Sequence, residues 1–381
     1  MELIGYNCNS RKRKLREPPS GAAFALAAGM ITIFTPSFAD EFDTNAQNLT
    51  VKEIVARMPP QKFQVIMLRE GRPDSRIAGR PNTLLIRCGR HGTTARILYQ
   101  ILRRVPDIYF YPREGPLDAA FIYLRRKLRL KTAIVTHVVS GGLDSAPCRQ
   151  SLARNIREAK AVFANCNYLA ELVRKRLHVE ARTIHNGIDR RYFFPDINRR
   201  HSSPQVLRVL FAGSFRLYKR ADLVVQQAAR WPQVQFLLAG AGEDEPRCRS
   251  LARELNCANV EFLGHLSLQQ LGEEMRQSDV FLFPSILEGH PQVLGQAAAC
   301  GLPVVAMDAY RPDYVVNGVT GFLAASDDEL IQKLDLLLDS SELRQSMSHA
   351  AAIHALTFDW DKAAKDWERV FEEVVATRHG N

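Results

Sequence analysis

The sequence predicts an α/β protein made of two tandem doubly wound domains, each with a parallel sheet between layers of helices. Short apolar, β-branched runs alternate with helical patterns along most of the chain, which is typical of a parallel sheet covered on both faces. The alternation stops at the polar, proline-containing segment 194–204 and then begins again. A length of 381 residues allows two domains, each with its own core.

The first half contains the candidate strands 30–35, 63–68, 83–87, 107–112, 131–138, 161–165 and 181–184. Helical patterns lie between these strands, for example at 47–57, 93–104, 117–127 and 168–177. These elements predict an N-terminal domain over residues 30–198, preceded by a flexible extension at residues 1–29.

The second half contains the candidate strands 206–212, 234–239, 260–262, 280–283 and 303–306. Its candidate helices are 221–229, 245–255, 268–277, 293–300, 327–338, 341–355 and a last amphipathic helix at 361–376. They predict a second domain over residues 204–356. Ligands of doubly wound sheets bind at the carboxyl ends of the strands, so two such domains predict a deep cleft between them.

The N-terminal region has two interpretations. The basic stretch 11–16 precedes an uncharged run, 18–39, that ends in Ser37-Phe38-Ala39, which imitates a signal peptide. Alternatively, Met30 to Phe34 form a buried first strand. We prefer the strand, because prolines and glycines break the uncharged run and the following segments look like the rest of a parallel sheet.

The charge is divided unequally. Residues 1–200 hold 35 Lys and Arg against 17 Asp and Glu, a net charge of +18, whereas residues 201–381 carry −8. The basic half indicates an anionic partner, such as a membrane surface, a phosphorylated acceptor or nucleic acid; the alternative is a solvated, arginine-rich surface. The seven cysteines are scattered without a C-x-x-C pair, which argues against a disulfide framework and favours a reducing cytosol.

The most informative stretch is 279–308. A buried strand ends at Pro284-Ser285, a loop carries Glu288, and a helix begins near residue 292. The unpaired N–H groups of such a helix start favour a phosphate or a sugar hydroxyl. Gln296 lies about two turns after Glu288 and can line the same groove.

This stretch resembles the retaining glycosyltransferases of family 4, the glycosyl transferases group 1, which have the two-domain GT-B architecture. Their Glu-x7-Glu signature corresponds here to Glu288-Gly289-His290-Pro291 followed by Gln296-Ala297, so glutamine replaces the second acid. The resemblance implies that Glu288 contacts the donor sugar and that residues 289–293 position it, namely Gly289, His290, Pro291, Gln292 and Val293. It also implies that Gln296 holds the donor ribose through neutral, weaker hydrogen bonds.

A second motif follows the first strand of the second half. The family pattern G-R-x4-K-G corresponds to Gly213-Ser214 with Lys219, so serine stands at the arginine position and Arg216 is the candidate substitute. The resemblance implies that Lys219 and Arg216 neutralise the donor diphosphate, whose charge grows as the glycosidic bond breaks. The alternative for each residue is a solvated loop charge.

Further positions carry roles by resemblance alone. Gly242 begins a loop near the nucleotide, His265 and Leu266 pack the base, and the Asn186-Gly187 turn is architectural. His137 corresponds to a catalytic histidine on the acceptor side, the alternative being a structural histidine at a strand end. The segment 357–381 is expected to form a helix that crosses back to the first domain.

Together these features predict a metal-independent, retaining glycosyltransferase that needs no cofactor besides its nucleotide-sugar donor. The expected acceptor is a glycan or lipid-linked glycan of the cell envelope, and the expected location is cytoplasmic or peripheral on an anionic inner membrane surface. The alternatives are a nucleotide-sugar epimerase of the same fold and a catalytically silent binding homologue. Nucleic acid is not an expected partner, because the basic half lacks the patterns of such modules.

Overall fold

Two parallel sheets make up the part of the chain that the computed structural model describes, residues 29–41, 46–89, 93–112, 115–139, 143, 150–196 and 206–377. Helices link the strands of each sheet, as the alternating pattern predicts. The predicted α/β fold of two Rossmann-like domains is confirmed. The predicted extension and linker lie largely outside the described residues, so the domain bounds stay predictions.

The first sheet has the strand order β3-β2-β1-β4-β5-β6-β7. Its strands are β1 (Ile31–Phe38), β2 (Phe63–Arg69), β3 (Thr83–Arg87), β4 (Ile108–Phe110), β5 (Ala133–Val138), β6 (Ala161–Ala164) and β7 (Arg182–Thr183). Its helices are α1 (Ala46–Arg57), α2 (Ser75–Ala78), α3 (Thr93–Arg104), α4 (Pro116–Lys127), α5 (Gln150–Glu158) and α6 (Asn167–Leu177). The sequence did not predict α2 and α5.

Strand β1 settles the two interpretations of the N-terminal region in favour of the strand. It pairs in parallel with β2 on one side and β4 on the other, and Phe34 at its middle is fully buried. The strand continues to Phe38, beyond the predicted end at residue 35, and therefore includes most of the segment that resembles a cleavage site. A break there would remove an internal strand of the sheet, flanked by β2 and β4.

The second sheet has the strand order β10-β9-β8-β11-β12-β13. Its strands are β8 (Arg208–Ala212), β9 (Gln235–Ala239), β10 (Val260–Gly264), β11 (Val280–Phe283), β12 (Val304–Met307) and β13 (Gly321–Ala324), the last of which was not predicted. Its helices are α7 (Ala221–Arg230), α8 (Glu245–Glu254), α9 (Leu268–Gln277), α10 (Gln292–Ala299), α11 (Asp327–Asp339) and α12 (Ser341–Ala355). In both sheets the strand order reverses beside the first strand, the usual place for a ligand site.

The last helix, α13 (Trp360–Ala376), packs on the first sheet, as expected. The ring of Trp367 lies 4.8 Å from that of Phe110 and 4.9 Å from that of Phe163. The Asn186-Gly187 turn receives the crossing chain: a Cβ on Gly187 would lie 2.3 Å from the backbone nitrogen of Trp360. Only glycine allows this approach, which supports the architectural role of the turn.

The two faces of the first sheet are covered by different helices. On one face, α1 and α13 cover a core that includes Phe63 and Phe110. On the other face, Ile97 and Ile101 of α3 and Phe121 of α4 pack on the sheet. Within the described residues, no helix is long and apolar enough to cross a membrane.

Candidate functional site

The loops at the carboxyl ends of β8, β9 and β10 pack against one another through direct backbone contacts. Gly240 has a φ of +132°, and a Cβ there would lie 1.8 Å from the carbonyl oxygen of Gly213. A Cβ on Gly242 would lie 2.4 Å from the carbonyl oxygen of Phe215. The N–H of Gly240 donates to Gly264 at 2.7 Å. Glycine at 240 and 242 therefore lets three loops pack into one rigid edge.

Lys219 and Glu288 form an ion pair at this edge. The Nζ of Lys219 lies 2.5 Å from Oε1 of Glu288, and the side chains are only 13% and 12% exposed. The hydroxyl of Ser285 donates to the same carboxylate oxygen at 2.5 Å, which fixes its position. The fold thus brings together the lysine and glutamate that the sequence analysis selected from motifs 69 residues apart.

Lys219 ends a 3-10 turn, Leu217–Lys219, that follows the β8 loop. Phe215 anchors this loop, because its side chain is fully buried and its N–H donates to Ala241 at 3.0 Å. Its neighbours Ser214 and Arg216 are exposed. The role of Arg216 as a second positive charge beside Lys219 stays a prediction.

Helix α10 begins at Gln292, close to its predicted start near residues 292–293. Gln292, Val293 and Gln296 are half-buried, whereas Leu294 and Ala297 are buried in the second core. Because residues 292 and 296 are four apart, Gln292 and Gln296 share one face of α10, one turn from each other. The helix start and Gln296 thus follow the loop that carries Glu288.

His290 is the buried member of that loop. Its ring stacks on Tyr314 with the centroids 3.9 Å apart, and burial lowers its pKa to about 3. Neither ring nitrogen has a hydrogen-bond partner in the described part of the chain. The side chain of His290 packs on Tyr314, and its role in donor binding stays a prediction.

His137 lies in the aromatic core under α13. It is 2% exposed, with ring centroids 5.3 Å from Tyr111 and 5.1 Å from Trp367, and burial lowers its pKa to about 3. This environment matches the alternative interpretation, a structural histidine at a strand end. Its catalytic role stays a prediction.

Two further predicted residues follow β10, the edge strand of the second sheet. His265 is exposed and Leu266 is half-buried against the second core. Both lie at the same carboxyl edge as Gly213 and Gly242, and their role in packing the base stays a prediction.

Sequence reasoning missed the contact between the two facing edges. Oδ2 of Asp313 accepts the N–H of Asn167 at 2.8 Å and lies 2.8 Å from Nε2 of His185. Burial raises the pKa of Asp313, but the bonds from His185 and Asn167 outweigh it and hold this pKa below its ordinary value. The thiol of Cys166 approaches the carbonyl oxygen of Gly289 at 3.8 Å. Together these contacts hold Asp313 and the loop that contains Gly289 against the first half of the chain.

Two family models match the chain. Glycosyltransferase Family 4 matches residues 47–192, and Glycosyl transferases group 1 matches residues 195–354. Together they span most of the chain and meet near the predicted linker.

Two curated relatives match part of the chain. The D-inositol 3-phosphate glycosyltransferase of Mycobacterium marinum is 34% identical over 194 residues, 47% of this chain and 42% of the relative. The N,N'-diacetylbacillosaminyl-diphospho-undecaprenol alpha-1,3-N-acetylgalactosaminyltransferase of Campylobacter jejuni is 29% identical over 166 residues, 43% of this chain and 42% of the relative. The matched stretches span less than half the length of either relative.

A solved structure resembles the whole fold. Anabaena HepE, in complex with UDP and glucose, superposes with a TM-score of 0.70 at 16% identity, covering 90% of this chain and 99% of that chain. This likeness supports the fold alone.

Proposed function

Because the chain belongs to the glycosyltransferases of family 4, the glycosyl transferases group 1 with the GT-B fold, we propose that it transfers a sugar from a nucleotide-diphosphate donor to an acceptor hydroxyl with retention of configuration. The observation that carries this proposal is the Lys219–Glu288 pair at the glycine-joined edge of the second sheet. It places a cation and a hydroxyl-binding carboxylate side by side.

The diphosphate is proposed to bind at Lys219 and Arg216. Lys219 is largely withdrawn from water, so its attraction for a phosphate oxygen is stronger than that of a solvated lysine. As the glycosidic bond breaks, negative charge collects on the departing diphosphate, and these cations stabilise that charge. We propose that they take the place of a divalent metal.

The sugar is proposed to bind between Glu288 and the start of α10. A carboxylate accepts hydrogen bonds from sugar hydroxyls, and Ser285 holds this one in place. The N–H groups of the first turn of α10 supply donors beside it. Gln296 is proposed to bond the ribose.

The proposed reaction is a substitution on one face of the sugar. The bond between the anomeric carbon and the diphosphate oxygen breaks, and its electron pair leaves with the diphosphate. The acceptor oxygen bonds to the same face of the anomeric carbon, and the acceptor proton passes to the departing phosphate oxygen. Lys219 and Arg216 hold that phosphate while it takes the proton.

The acceptor is proposed to be a glycan or lipid-linked glycan in cell-envelope polysaccharide or glycolipid synthesis, on the cytoplasmic side of the membrane. The name of the Campylobacter relative, which includes a diphospho-undecaprenol, supports a lipid-linked acceptor. The basic first half supports an anionic partner on that side.

Calorimetric titration with UDP, GDP, ADP and CMP in EDTA tests the donor site. We expect one nucleoside diphosphate to bind without metal, and Lys219→Ala to weaken its binding by about tenfold or more, as for the loss of a charge-assisted bond. Glu288→Gln should keep or strengthen this binding, because Glu288 is assigned to the sugar and its carboxylate competes with the diphosphate for Lys219. Lys365→Ala, on the exposed face of α13, is the charge-matched control. A folded protein that binds none of the four nucleotides would contradict the proposal.

A further inference from the structure

The outer face of α3 and α4 carries exposed tyrosines. Tyr99 and Tyr123 are each 60% exposed, although the helices that bear them bury Ile97, Ile101 and Phe121 against the sheet. Each helix ends beside another exposed apolar residue, Val105 at 43% and Leu128 at 56%. Since α3 and α4 are neighbours on one face of the sheet, these side chains belong to one surface.

The same surface is strongly basic. Its exposed cations are Arg96, Arg103, Arg126, Lys127, Arg129 and Lys131. Three of them share helix faces with the tyrosines, because Arg103 follows Tyr99, and Lys127 follows Tyr123, by one turn, while Arg96 precedes Tyr99 by three residues. The ammonium of Lys127 lies 5.9 Å from the centre of the Tyr123 ring.

Acidic side chains do not balance this charge in the described residues between 93 and 131. Asp118 is 1% exposed and accepts the hydroxyl of Tyr109 at 2.7 Å. Asp107 accepts the backbone N–H of Thr32 at 2.9 Å, so it is engaged inside the sheet. Glu158, which lies outside this range, pairs with Arg126 and offsets that one charge, so the outer face keeps a net positive charge.

A cavity of about 490 Å³ continues this surface beyond Arg126. Arginines from three helices line it: Arg126 of α4, Arg154 and Arg157 of α5, and Arg176 of α6. Among the described residues that line it, the acidic one, Glu158, is already paired with Arg125 and Arg126. The Nε of Arg154 is buried without a hydrogen-bond partner among the described residues. The cavity has the charge for a phosphate group.

We propose that the outer face of α3 and α4, with the arginine-lined cavity beside it, docks on the surface of an anionic lipid bilayer. Tyrosine rings place an apolar body at the level of the head groups while the hydroxyl stays hydrated, and arginine and lysine stems do the same with their charges. Lipid phosphates meet the cations, and one of them enters the cavity. The inference does not depend on the donor site, which lies in the second half of the chain.

Vesicle sedimentation tests the docking surface. The full chain is mixed with phosphatidylcholine vesicles that contain about one third phosphatidylglycerol, or with pure phosphatidylcholine vesicles as the neutral control. We expect binding to the anionic vesicles only, and weaker binding at high salt, because surface charges are screened. The double variants Tyr99→Ser/Tyr123→Ser and Arg103→Gln/Lys127→Gln should each lower the affinity about tenfold or more.

Matched variants in the second half control for general changes in charge and hydrophobicity. Leu268→Ser/Ile353→Ser removes two exposed apolar side chains, and Arg249→Gln/Arg253→Gln removes two exposed charges. Both should sediment like the wild type. Nucleoside-diphosphate binding and thermal melting, measured on the same samples, separate failure of the surface from failure of the donor site or of folding.

Several results would overturn the inference. They are absence of vesicle binding, equal binding to neutral vesicles, or wild-type binding by both surface variants. Oligonucleotide binding or self-association that the surface variants abolish, without any vesicle binding, would assign the surface to nucleic acid or to a second copy instead. Competition by millimolar glycerol phosphate for the vesicle-bound protein would assign the cavity to a free phosphate compound.

Discussion

The two halves of the molecule share one topology but place their functional residues at different sites. In the second half, the carboxyl edge is built from glycine-joined loops and holds Lys219 with Glu288. In the first half, the exposed cations and tyrosines lie on the outer face of α3 and α4. The same fold can therefore serve as a ligand-binding edge in one half and as a docking face in the other, since loops and outer helix faces vary independently of the core.

The largest expected effect comes from a substitution that disrupts the packed loops at the carboxyl edge of the second sheet. Gly240→Ala should destabilise the protein by about 3 kcal/mol or more, because the new Cβ overlaps the Gly213 carbonyl and the φ of +132° disfavours any side chain. Urea unfolding followed by circular dichroism measures the loss.

Gly264→Ala is the control for this prediction. Gly264 also has a positive φ, +68°, but nothing lies within 4 Å of a Cβ there, so a loss of about 1 kcal/mol is expected from the backbone alone. Equal losses in the two variants would show that the close approach of the loops is unimportant.

The second test separates the contributions of the two buried histidines, one in each half, to the pH dependence of stability. His137 and His290 both have a pKa lowered by burial to about 3, against about 6.5 in the unfolded chain. Above pH 6.5 both histidines are neutral in the folded and the unfolded chain, so they do not oppose folding. Below pH 6.5 the unfolded chain binds protons that the folded chain does not, so the free energy of unfolding falls as the pH falls toward the folded pKa. Each histidine should therefore cost about 1 kcal/mol per pH unit below 6.5.

His137→Phe should remove the contribution of the first half to this slope, because phenylalanine fits between Tyr111 and Trp367 without a titrating group. Urea midpoints between pH 7 and pH 5 give the slope for the wild type and the variant. Transferase activity, measured in parallel, tests the other interpretation: a variant that is stable but inactive would support the predicted catalytic role of His137.

The smallest expected effect is at Gln296. Gln296→Glu restores the acid of the family signature, and a charged acceptor should strengthen the proposed ribose bond by about 1 kcal/mol, or roughly fivefold in nucleotide affinity. Glu342, exposed on α12, provides the reverse control as Glu342→Gln, which should change nothing. If Gln296→Glu were the only active form, the wild type would be a silent binding homologue.

Much of the fold could be predicted because buried strands and amphipathic helices leave periodic patterns in the sequence. Helix α5 was missed because its polar sequence buries only a few residues, among them Ala153 and Ile156. Strand β13 was missed because it has four residues and begins with glycine, a poor strand former. Short or predominantly polar elements are formed by their tertiary contacts, which a local pattern does not contain.

The site was predictable only where a motif carried it. Lys219 and Glu288 each stand in a recognisable motif, and the fold brings them within 2.5 Å. Asp313 and His185 are 128 residues apart, and no local pattern indicates their pairing. The docking surface was hidden for a similar reason, since Tyr99 and Tyr123 stand on separate helices that share a surface only once α3 and α4 lie side by side.

The most direct test of the account measures two properties of two variants in one experiment. Nucleoside-diphosphate affinity and anionic-vesicle binding are determined for the wild type, Lys219→Ala and Tyr99→Ser/Tyr123→Ser. The account predicts a crossed result, in which Lys219→Ala loses only nucleotide binding and the tyrosine variant loses only vesicle binding. Loss of both properties in either folded variant, or of neither in Lys219→Ala, would contradict the assignment of separate tasks to the two halves.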